Sequence, residues 1–132
     1  MYLGLDLGTS GVKALLIDDD QNTVASGHAA LDVSRPSHGW SEQDPAHWLK
    51  ACDEAIGELN ASHPKELAAV KGIGLSGQMH GATLLDDADK ALRPCILWND
   101  TRSHAEAAEL DADPRFRAIT GNIVFPGFTA PK

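Results

Sequence analysis

The sequence predicts an α/β domain built on a mixed sheet, and three observations carry that expectation. The chain opens with three short apolar runs joined by tight polar turns, which makes them antiparallel neighbours. One long amphipathic segment follows, and a further short apolar run comes after it. A strand reached through a helical crossover lies most simply parallel to the first.

Taken in order, Tyr2 to Leu7 and Val12 to Ile17 are the first two strands, with Gly8-Thr9-Ser10-Gly11 as their connection. Asp18 to Asn22 reads as the next hairpin tip, and Thr23 to Val33 alternates small and apolar residues as a third strand. The stretch Ser34 to Trp40 holds two turn-formers and reads as a loop. Asp44 then caps a helix with Pro45 at its first position, and Trp48, Leu49, Cys52, Ile56 and Leu59 form its apolar face until it fades near Asn60. Val70 to Ser76 is the strand after the crossover. Ala82 to Leu85 and Ala91 to Trp98 make a further strand pair around Asp86 to Lys90. Asn99 or Asp100 caps a helix running through Leu110. Thr129-Ala130-Pro131 has the chemistry of a helix start, so the 132 residues are expected to be the opening part of a larger domain.

Composition narrows the function. A net charge of −8 argues against a nucleic-acid surface, which needs a basic stripe. Cys52 and Cys95 are isolated and the histidines lack zinc spacing, so neither a disulfide framework nor a zinc site is expected. No signal peptide or membrane-length apolar run occurs, and a cytoplasmic location is the expectation. Three familiar motifs also fall. Gly72 to Gly77 matches G-x-G-x-x-G, but its first two glycines lie inside a strand and no helix opens at the last. Gly8 to Lys13 is too short for a P-loop and leads into a strand, and Gln78 stands where a nucleophile elbow around Ser76 needs glycine.

What remains is the first turn. Asp6 sits inside an apolar run, where an acid is costly unless something answers it. A tip of glycine and hydroxyl residues can aim backbone N–H groups and hydroxyls at phosphate oxygens, with Gly8 and Gly11 allowing positive φ and close approach. Lys13 adds charge, and a magnesium ion held through water would answer Asp6. The same residues also suit an ordinary type I′ hairpin whose Asp accepts from turn amides, and composition does not choose between the two.

Gly4-Leu5-Asp6-Leu7-Gly8-Thr9-Ser10 resembles the first phosphate motif of the ATPase fold shared by actin, the chaperone ATPases and the sugar kinases. Trp40 to Pro45, Gly77-Gln78-Met79-His80-Gly81 and Leu97 to Arg102 resemble the FGGY carbohydrate kinases, and most of all the branch that phosphorylates D-xylulose. The resemblance implies an RNase H-like (actin-like ATPase) domain, the first of two facing a cleft. It also implies ATP and Mg as cofactors and transfer of the γ-phosphoryl group to a ketopentose hydroxyl. By position, Asp6 is the acid that organises metal and phosphate, while Thr9, Ser10, Gly11 and Lys13 meet the phosphates. Gln78, Met79, His80 and Asp100 are substrate-binding, with Trp98 and Asn99 shaping that wall; Trp40 and Trp48 are packing.

Bland roles stand beside these: a carbonyl-satisfied loop histidine for His80, a helix cap for Asp100 and core filling for Met79. In the family the general base and the adenosine pocket lie in parts beyond Lys132. The 132 residues alone are therefore expected to be inert and prone to self-association, with sugar and ATP as partners, neither membrane nor nucleic acid, and a homodimer as a candidate assembly of the full-length protein. The rival readings are a different FGGY kinase (a ribulokinase or gluconokinase), a non-enzymatic actin-like nucleotide-binding module, and a free-standing sugar-binding half-domain. Glycerol kinases carry Gln-Arg-Glu in place of Gln78-Met79-His80.

Overall fold

The structure, a computed structural model, describes residues 1–132 as two compact units, Met1–Asp32 with Ala46–Gln78 and Val33–Pro45 with Met79–Lys132. In the first unit β1 (Tyr2–Leu7), β2 (Gly11–Ile17) and β3 (Thr23–Ala30) run antiparallel, and β5 (Gly72–Ser76) lies parallel to β1. The strand order is β3-β2-β1-β5, the mixed sheet that the turn chemistry and the crossover predict. Asp18 builds the second turn itself: its carboxylate accepts from the backbone N–H groups of Asp20 and Asn22 at 2.9 and 2.8 Å.

α1 (Pro45–Ser62) starts at Pro45, as its sequence signals. Its buried stripe differs from the expected one. Ala51, Ala55 and Leu59 are buried with Leu3, Val12, Ala14 and Leu16, whereas Leu49 is 71% exposed. Trp48, Cys52 and Ile56 pack against the edge of that cluster. The reason is a close backbone approach: a Cβ on Gly27 of β3 would sit 2.1 Å from the Ala55 carbonyl oxygen. Large side chains cannot line a contact that tight, so alanine does. A short α2 (Pro64–Ala68) then leads to β5.

The second unit holds a two-stranded sheet of β4 (Glu42–Gln43) and β6 (Cys95–Ile96). The expected strand pair around Asp86 to Lys90 is a hairpin joined only by isolated bridges, Leu85 to Ala91 and Ala82 to Ile96. Its tip is an Asp turn in which Asp86 accepts from the N–H groups of Ala88 and Lys90, both at 2.9 Å. α3 (His104–Asp111) begins after Ser103, so Asp100 is not its cap. α4 (Pro114–Thr120) was not foreseen, although Asp113 before Pro114 and Gly121 at its end spell both caps. Thr129 to Lys132 form a turn, Lys132 N–H donating to the Thr129 carbonyl at 3.3 Å.

Candidate functional site

One group of candidate residues lies in the first unit. Strand register places Asp6 opposite Lys13, Lys13 opposite His28, and Asp6 beside Ser76, so four polar residues cross one sheet face in a single row. Asp6 is exposed rather than buried, which removes the desolvation cost expected of an acid in that run. Asp6 and Lys13 line two open grooves on this face, one shared with Gly4, Gly74 and Ser76, the other with Ser10, Gly11 and His28. His28 was missed in the sequence, because only the β2–β3 register brings it next to Lys13.

The hairpin tip closes with Gly8 N–H donating to the Gly11 carbonyl at 3.0 Å. The expected positive φ is absent: the glycines with positive φ are Gly39 and Gly121, and no residue of the tip joins them, so it is not a type I′ turn. Gly11 is needed for space instead, since its Cβ would lie 2.6 Å from the Ala29 carbonyl oxygen. Thr9 Oγ1 donates to Gln78 Oε1 at 3.4 Å, which ties the tip to the end of β5.

No group of three or more His, Cys, Asp or Glu residues is gathered that could cage a metal ion. A single exposed carboxylate beside an open groove is a donor set compatible with magnesium, which keeps most of its waters and takes one or two carboxylates along with substrate phosphates.

The second group lies in the second unit. Met79 and Trp98 are more than two-fifths exposed, and His80 is exposed with φ of 54° in the left-handed region. The His80 ring stacks on Phe128, centroids 4.7 Å apart. Asn99 Oδ1 is buried without a hydrogen-bond partner.

Asp100 departs from expectation. It is 1% exposed, and its two oxygens accept from Ser41 N–H at 2.6 Å, Arg102 N–H at 2.8 Å, and the Arg102 Nε and Nη2 groups at 3.0 and 2.7 Å. A carboxylate so filled has no lone pair left for a sugar hydroxyl. Burial opposes its ionisation, but the Arg102 guanidinium and the two amides outweigh burial and hold its pKa below the ordinary value. Arg102 in turn reaches Glu42 at 2.6 Å and lies 3.7 Å above the Trp40 ring. Trp40 is thus a cation–π platform as well as packing. The Trp40 to Pro45 and Leu97 to Arg102 stretches are the two halves of one ion-pair network.

The chain matches, over residues 1–132, the model of the FGGY family of carbohydrate kinases, N-terminal domain. It is 53% identical to the xylulose kinase of Escherichia coli (strain K12), an alignment that takes in 100% of this chain and 27% of that protein. The crystal structure of a xyloylose kinase from Brucella ovis superposes with a TM-score of 0.97 at 78% identity, covering 98% of this chain and 27% of that one. The xylulose kinase structure from Rhodospirillum rubrum gives 0.86 at 34% identity, over 93% of this chain and 26% of its own. The α/β fold is therefore that of the actin-like ATPases. Within that class the chain belongs to the FGGY family of carbohydrate kinases. It spans about a quarter of the length of the relatives it matches.

Proposed function

We propose that the protein to which these residues belong transfers the γ-phosphoryl group of ATP to a ketopentose hydroxyl, with D-xylulose as the sugar. The observation that carries this reading is the row of Asp6 and Lys13 beside the Gly8–Gly11 tip, on an open face of the sheet. Phosphoryl transfer is mostly positioning and charge stabilisation. Lys13 supplies a cation to the phosphate oxygens, and Thr9, Ser10 and Gly11 present hydroxyls and backbone to them. Asp6 would hold a magnesium ion through water, and the ion would supply charge neutralisation at the transferred group. Gln78, Met79 and His80 read the sugar, with Trp98 and Asn99 as its wall. The relatives named xylulose kinase support the sugar assignment.

In this reading residues 1–132 are the opening portion of the first of two kinase domains, and the general base lies elsewhere in the protein. The test is Asp6→Asn in the full-length enzyme. Turnover of D-xylulose should be lost while calorimetric sugar binding stays nearly intact, because the Asp6 charge serves metal and phosphate rather than sugar. Near-normal kcat would overturn the assignment.

A further inference from the structure

His80 adopts a backbone conformation that L-residues with a Cβ avoid, and something must hold it there. Lys132 Nζ donates to the His80 carbonyl and to the Gly127 carbonyl, both at 2.8 Å. Gly127 itself lies close against the Trp98 backbone, since a Cβ there would lie 2.1 Å from the Trp98 carbonyl oxygen. Phe128, next along the chain, carries the ring on which His80 stacks. One ammonium therefore joins the loop after β5 to the Trp98 stretch through the turn at 125–132. Charge-assisted bonds of this length are among the strong ones; the one to Gly127 is partly buried and the one to His80 is exposed. Burial also draws the Lys132 ammonium below its ordinary pKa, as expected where its partners are neutral carbonyls.

We propose that Lys132 is a positioning residue for sugar recognition: its ammonium clamps the His80 and Gly127 carbonyls together and so presents the His80 side chain in the conformation that meets the substrate. The proposal rests on the reading of Met79 and His80 as the sugar side. Lys132 itself touches neither sugar nor phosphate.

The test uses the full-length protein with Lys132→Met, which keeps the stem but not the donors, and Lys132→Arg, which restores them. Lys132→Met should raise KM for D-xylulose about tenfold while KM for ATP stays within about twofold, and Lys132→Arg should recover most of the loss. Hydrogen exchange at the amides of residues 77–81 should quicken about tenfold in Lys132→Met, with β1 to β3 unchanged. Unaltered sugar KM together with unaltered exchange would overturn the clamp. If Lys132→Met does not accumulate folded, Lys132→Gln takes its place, with a smaller rise in sugar KM expected and an unchanged KM and exchange again overturning the clamp. Should the wild type phosphorylate no ketopentose, the sugar reading fails, and the exchange measurement alone decides whether the clamp exists.

Discussion

Asp100 illustrates how a residue in a recognisable motif acquires its role from its neighbours. The carboxylate that sequence context directs at a sugar hydroxyl is spent on Arg102 and Ser41. Removing one partner of a buried pair leaves the other charge unanswered, so Asp100→Asn should destabilise the fold by roughly 3–5 kcal/mol at neutral pH. The pH dependence has a definite sign. Because the folded pKa lies below the ordinary carboxylate value, the pair stabilises fully above about pH 4 and its contribution fades as pH falls further. Urea midpoints followed between pH 6 and pH 3 should drop in the wild type and lose that component in Asp100→Asn. Parallel curves for the two proteins would contradict the ion-pair account.

Among the elements, β2 and α1 show where glycine is required and where it is merely tolerated. Gly11 stands where β3 crosses too closely for any side chain, so Gly11→Ala should force the strands apart at a cost of about 1–3 kcal/mol and loosen the hairpin tip. Gly57 faces open space in the middle of α1, and Gly57→Ala should gain about 0.5–1 kcal/mol from helix propensity. Thermal melts of the pair should move in opposite directions; two shifts of the same sign would show that the close approach at Gly11 is not tight. The caps of α4 are written locally, as Asp113 before Pro114 and Gly121 at its end. The start of α3 is not, since Ser103 makes no side-chain cap bond.

At the scale of the whole chain, the sheet ends on β5 with an uncovered apolar margin. Ile73 and Leu75 are 67% and 72% exposed, whereas Leu15 and Ile17 are half-covered. Exposed apolar side chains on an edge strand favour pairing with another chain. A polypeptide of residues 1–132 should therefore sediment as concentration-dependent oligomers, shift toward monomer with Leu75→Lys, and show no xylulose-dependent ADP release. A compact monomer with turnover would refute both parts. No helix is long and apolar enough to cross a membrane.

Sequence alone determined the strands β1 to β3, the crossover helix and the parallel β5, because each is encoded by neighbours in the chain: turn residues, caps and the alternation of small and apolar side chains. The family was legible only through the resemblance of its motifs. Sequence also singled out Asp6, Lys13 and His80 as types of residue suited to phosphate and sugar. Tertiary structure alone decided the rest. The alanine stripe of α1 follows from the backbone of β3 at Gly27, His28 reaches the Asp6 row through strand register, and Asp100 turns inward because Arg102 and Ser41 lie within hydrogen-bond reach. Lys132 finds the His80 carbonyl across 52 residues of sequence. Such contacts depend on which surfaces approach in space, and local propensity carries no record of that.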